Sequence, residues 1–255
     1  EPRGRDLIGP PPGMEMNFER SVEVTWRMEL PDALHATAWG AERAEAFLDR
    51  AAKEDRPFFL WLSIPDPHPP YTVPPPWCDM FRPEDMPEPA RREGELDELP
   101  PHYKRLFASG LPTAGRIAPT NVSDVARRRV AAMICGMVAQ FDAMAGRVLK
   151  RLEQLGLAAN TVVVFMSDHG QMLGDHWMFS MPPSHLDGTL RVPSLWRVPG
   201  RTMGGEVSDA LVLVVSEERG TVSVAQDGEL RVDIAPAAGS DRLGQHPVGV
   251  ADVHA

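Results

Sequence analysis

Thr161-Val-Val-Val-Phe-Met-Ser-Asp-His-Gly-Gln171 is the stretch on which the fold reading turns. A short apolar, β-branched run stops at Ser167, and Asp168 and His169 follow with a glycine behind them. A buried strand reads this way when it delivers polar side chains to the edge of a sheet. Ligands of open α/β sheets collect at the carboxyl ends of the strands. A carboxylate beside an imidazole can ligate a divalent cation, and the same four residues can equally close a strand as a polar turn.

Upstream of this stretch, apolar residues recur at spacings of three and four: Val130, Ile134, Met137, Phe141, Met144, Val148, Leu152 and Leu155. This stripe predicts a long helix, with Ser123 or Asp124 at its start and Gly156 as a left-handed cap. A second amphipathic helix is predicted over 38–53, with Ala41, Ala44, Phe47, Leu48 and Ala51 on one face. Arg56-Pro57 stops it, and Phe58–Ile64 reads as a buried strand. Arg191–Val198 is a further strand, and strand, loop, helix, strand implies an α/β fold with a mostly parallel sheet flanked by helices.

The first strand runs into Pro65-Asp-Pro-His-Pro-Pro-Tyr71, where prolines fix the backbone and stop both helix and strand. His68 is therefore held rigidly just past a strand end, as a preorganised polar group should be. Beyond it, 72–120 reads as a long polar loop, of the kind that is either a functional cover or disordered. The charged run Arg91–Glu98 reads as solvated surface. Asp175, His176 and His185 crowd around the Asp168–His169 corner, a clustering that suits a metal-assisted hydrolase.

Bulk properties narrow the classes. The net charge of −10 disfavours nucleic-acid and anionic-membrane partners. No apolar run is expected to span a bilayer. The two cysteines, Cys78 and Cys135, lack CxxC spacing, which excludes a disulfide scaffold and a cysteine zinc site. Glu1 in place of an initiating Met suggests a fragment or processed piece. Oligomeric state and compartment leave no signature.

With these residues in view, 31–205 resembles the sulfatase family of the alkaline phosphatase superfamily, in its sulfatase/phosphonate-monoesterase-like branch. The resemblance rests on Arg56–Ser63, Pro65–Tyr71, Leu152–Leu157, Val163–Gly170, Leu173-Gly-Asp-His176 and Leu190-Arg-Val-Pro193, in the family's order. It implies an incomplete alkaline phosphatase-like α/β domain that hydrolyses sulfate, or phosphate or phosphonate, esters. It implies a divalent cation, calcium first, with manganese or zinc as alternatives. It assigns metal ligation to Asp168 and His169 and substrate contact to His68, with His176 and His185 as weaker substrate-binding candidates.

Departures accompany the resemblance. The family nucleophile lies in a Cys/Ser-x-Pro/Ala-x-Arg motif that precedes the matched segments. Cys78-Asp-Met-Phe-Arg82 has the Cys and Arg, but Met80 stands at the Pro/Ala position and the motif follows His68, so it reads as coincidence. Met181 stands where the family carries a lysine, and Gln171 where an acidic residue is usual. An alternative is therefore a non-catalytic sulfatase-like binding protein, or a chimeric or truncated chain without a nucleophile.

The domain reading is a poorly patterned segment 1–30, the sulfatase-like domain 31–205, a β-hairpin-like segment 206–230, and a Gly/Ala/Pro-rich tail 231–255 expected to be poorly ordered. Ser208–Leu230 resembles the last strands of the diadenylate cyclase domain. That domain's Asp-Gly-Ala and Arg-His-Arg motifs are missing, so no nucleotide chemistry follows.

Overall fold

This computed structural model describes residues 25–108, 122–179, 181, 186–201, 212–216, 221–226, 229–231 and 249–254. β1 (Thr25–Arg27) leads through a 3₁₀ turn into α1 (Ala36–Ala51). His35 caps that helix, its Nδ1 accepting from the Thr37 amide at 3.4 Å. Ala38, Ala41, Ala44, Leu48 and Ala51 form the buried face of α1, so the predicted stripe faces inward. β2 (Phe58–Ser63) forms where a strand is expected, but it is not the buried strand read from its apolar content, because Phe59 and Trp61 are exposed.

β3 (Tyr71–Val73) was not expected. Prolines on both sides argued against a strand, yet all three residues are buried and pair in parallel with β1, Trp26 opposite Thr72. The three-residue pairing fits between the prolines without needing their missing amides. The long segment after it also holds more structure than a polar loop: 3₁₀ turns at Trp77–Asp79 and Pro83–Asp85, α2 (Glu95–Glu98) and α3 (Pro101–Ala108). The Arg91–Glu98 run is not simply solvated surface, because Glu95 is buried and its side chain accepts from the Arg92 amide.

α4 (Asp124–Gln154) is the long predicted helix. The Ser123 hydroxyl accepts from the Ala126 amide at 3.2 Å, the expected N-cap. Gly156, at φ 71, ends the helix in the left-handed region. Val130, Ile134 and Met137 pack with Trp26, Tyr71, Val73 and Phe179 in the largest core cluster, and Met144 packs with Ala38 and Ala41 of α1. Each such apolar side chain contributes roughly 1.5–3 kcal/mol by leaving water. Arg147–Glu45 and Arg151–Asp49 link α4 to α1 at half-exposed positions, where ion pairs add little.

By length and composition α4 is also apolar enough to cross a membrane, which corrects the expectation that nothing in the chain is. Part of its apolar stripe packs against α1, β1 and β3, while Val125, Val138 and Leu149 remain exposed.

β4 (Val163–Met166), α5 (Asp187–Leu190) and β5 (Ser194–Arg197) complete the matched region. β4 and β5 pair antiparallel, Phe165 opposite Leu195. The expected single sheet is thus represented by short strand pairs, β1 with β3 and β2 with residues Gly249–His254 being parallel. β6 (Val212–Ser216), β7 (Thr221–Gln226) and β8 (Glu229–Arg231) form an antiparallel meander in the predicted hairpin region. β9 (Gly249–His254) lies within the tail expected to be poorly ordered; it pairs with β2, Phe58 opposite Gly249. Gly, Ala and Pro dominate the tail's composition, but Val250 and Val253 give its end the β-branched content a strand uses.

The core arrangement has a direct test. Met137→Ala, at a site 1% exposed, should cost about 2–5 kcal/mol. Met137→Leu should cost less than about 1.5 kcal/mol, both read from urea unfolding by circular dichroism.

Candidate active site

β4 ends at Met166 and the chain turns at once: the Ser167 hydroxyl donates to the His169 carbonyl at 2.8 Å. The His169 amide donates to Asp168 Oδ1 at 2.9 Å, which fixes one carboxylate oxygen. The other, Oδ2, lies 3.9 Å from His169 Nε2, and the Asp168 side chain is 88% exposed. His169 Nδ1 is 3.0 Å from the Gly170 carbonyl, which can only accept, so Nδ1 carries the proton. In the neutral ring Nε2 then presents a lone pair toward the carboxylate side. That tautomer is the one a metal-ligating histidine adopts when its other nitrogen is held by a carbonyl.

Gly170 sits where no side chain fits. Its amide donates to Thr189 O at 2.9 Å, and a Cβ would fall 2.2 Å from the Gly188 carbonyl oxygen. The backbone of α5 is therefore pressed against the Asp168–His169 corner.

The loop carrying His68 is anchored at two points. Asp66 accepts from the Thr37 hydroxyl at the N-terminus of α1, and its Oδ2 lies 3.8 Å from the Nδ1 of buried His35. Burial pushes the His35 pKa below the ordinary histidine value, while Asp66 and Asp32 oppose that shift. The second anchor is Gln171, whose Nε2 donates to the Pro67 carbonyl at 3.3 Å and whose Oε1 accepts from the Tyr71 hydroxyl at 2.8 Å. His68 itself is exposed, with Nδ1 donating to the Pro69 carbonyl at 2.7 Å, so its Nε2 is also the free nitrogen.

His176 lies elsewhere. Its Nδ1 is 3.1 Å from the buried carboxylate of Glu95, and its amide donates to Ala90 O. Asp175 accepts from the Ala90 amide at 2.7 Å, the Trp177 indole donates to Arg92 O, and Arg91 lies over the Trp177 ring. The Asp175–Trp177 turn is thus clasped to the 90–95 segment. His185 falls outside the described residues. Among the described residues no group of three or more His, Cys, Asp or Glu side chains converges as a metal site.

Cys78 packs against the main core in the Trp77–Asp79 turn. Burial first, then the neighbouring Asp79, push its thiol above the ordinary cysteine pKa. The thiolate is the nucleophilic form, so this is the opposite of an activated cysteine.

His35, Gln171 and Glu95 are the residues whose roles the sequence left unread. His35 lay three residues ahead of the helix predicted over 38–53, and Glu95 was one of several acids in a charged run. Gln171 stood out only as a replacement for an acidic residue.

A strand-end Asp-His pair, a proline-locked His loop tied to it, and a long helix packed beneath define an α/β domain of the alkaline phosphatase type. The chain belongs to the sulfatase family: the family model described as Sulfatase matches residues 14–216, further in both directions than the 31–205 read from the sequence. It is 31% identical over 187 residues to an arylsulfatase of Clostridium perfringens, covering 72% of this chain and 36% of that protein. It is 32% identical over 157 residues to a multifunctional alkaline phosphatase superfamily protein, PehA, of Trinickia caryophylli, covering 58% and 29% respectively. The chain therefore spans about a third of these relatives' length. Among solved structures it resembles the phosphonate monoester hydrolase of Agrobacterium radiobacter, with a TM-score of 0.63 and 28% identity over 77% of this chain and 38% of that one.

Two measurements follow from the site. Cys78 should react with iodoacetamide more slowly than a free cysteine at pH 7, and its rate should climb as pH rises toward its elevated pKa. Gly170→Ala should lower the melting temperature, because Gly188 backbone must move to admit the methyl group; an unchanged value would contradict the close approach.

Proposed function

We propose that this chain carries part of a metal-dependent ester hydrolase site, with sulfate, or phosphate or phosphonate, monoesters as the substrate class. The observation that carries the reading is the pair of free donors at the end of β4, Asp168 Oδ2 and His169 Nε2, 3.9 Å apart. Two ligands of one ion can span that distance, given metal–ligand bonds of about 2.0–2.6 Å. One oxygen and one nitrogen donor suit calcium, manganese or zinc, calcium being the cation the family resemblance favours. When bound, such an ion offsets negative charge on the ester and polarises its oxygens.

His68 has the free Nε2 needed to donate a hydrogen bond or a proton to an ester oxygen when protonated. His176 is committed to Glu95 and is a weaker substrate ligand than the sequence suggested. Asp168 and His169 furnish two donors where a cation takes four or more. The remaining donors come from outside this pair. The exposed apolar side chains of β4, Phe165 and Met166, are consistent with a further layer against the same strand.

A second reading, a sulfatase-like domain that binds anions without turning them over, is favoured by Met181 at the family's lysine position and by the suppressed Cys78 thiol. Titration with Mn²⁺ or Ca²⁺ separates the two. The hydrolase reading expects saturable binding weakened about 10-fold or more by Asp168→Ala or His169→Ala, as loss of a ligand requires. Binding indifferent to both substitutions would sink it. With this chain alone, hydrolysis of aryl sulfates and phenyl phosphonates should stay at the level of a His68→Ala control, since the described residues hold no activated nucleophile.

A further inference from the structure

We propose that Gln171 is a positioning residue that locks the His68 loop to the Asp168–His169 corner. It does so through an amide bridge between the Tyr71 hydroxyl and the Pro67 carbonyl. The inference rests on reading His68 and the corner as one site. Gln171 is only two residues beyond His169, whereas its partners are 100 and 104 residues away in the chain. Pro67 immediately precedes His68, and Tyr71 is fully buried in the main core cluster. One side chain therefore joins the corner, the His68 loop and the core.

The bridge requires an amide. The Pro67 carbonyl can only accept, so it needs a donor, and here the Tyr71 hydroxyl donates, so it needs an acceptor. The two ends of Gln171 satisfy both at once. An ionised carboxylate has no proton to give: it would keep the Tyr71 contact and turn a negative oxygen toward the Pro67 carbonyl. The acidic residue usual after Asp-His-Gly could not make this bridge at neutral pH, so the replacement at position 171 goes with how this chain holds its histidine loop.

Two variants test it in the full chain. The positional readout is the rate at which diethyl pyrocarbonate modifies His68, measured by mass spectrometry relative to exposed His102 on α3. Gln171→Leu and Gln171→Glu should both change this ratio by about fivefold at pH 7, the factor of one neutral hydrogen bond. The second readout is melting temperature at pH 7, which both variants should lower because each removes the donor to the Pro67 carbonyl. An unchanged His68 ratio in both variants would overturn the proposal. Failure of the hydrolase reading looks different: Mn²⁺ would not bind the wild-type chain, while His68 reactivity would still depend on residue 171.

Discussion

Burial of one face of α4 is the constraint on which the rest depends. Val130, Ile134 and Met137 press against Tyr71 and Val73 of β3, so the strand after the His68 loop is fixed by the helix. Further along α4, the Phe141 ring lies 5.7 Å from that of Phe165 in β4, three residues before Asp168. The two halves of the candidate site are thereby referred to one rigid element, although more than 90 residues separate them in sequence. Packed interiors transmit such placement because they have few voids to absorb error.

The same elements show what could be read from sequence and what could not. Helices α1 and α4 were legible because burial on one face imposes a period of three to four on the apolar residues, and their caps and stops are local chemistry. The Asp168–His169 corner and the histidine loop were legible because each is a short polar signal at the end of an apolar run. β3 was not: three residues carry no period, and their burial comes from Trp26 and α4, which are distant in sequence. Nor was the His176–Glu95 contact, since a charged run looks the same whether its acids meet water or an imidazole 81 residues away. What stays hidden in both cases is a long-range partner.

Histidine roles sort on which nitrogen is already engaged. In His68 and His169 a neighbouring backbone carbonyl takes Nδ1–H, leaving Nε2 outward and available. In His35, Nδ1 accepts from a helix amide and the ring is buried, so the neutral form is favoured and the residue serves the fold. In His176, a carboxylate faces Nδ1 and the ring joins two surface segments. Composition cannot separate these four; local backbone geometry does.

Turnover needs more than a histidine and two ligands, and the electrostatics of Cys78 show how far the described residues are from a nucleophile. A sulfur pushed above its ordinary pKa by burial, with an aspartate beside it, is almost entirely protonated at neutral pH. Activation would demand the reverse, a cation or a base within hydrogen-bond reach. Arg27 lowers the Cys78 pKa, but it is tied to Asp79 at 2.6 Å, and the burial and aspartate contributions outweigh it. The Cys and Arg spacing at 78–82 therefore belongs to a packed turn, and the proposed site is the one at the exposed end of β4.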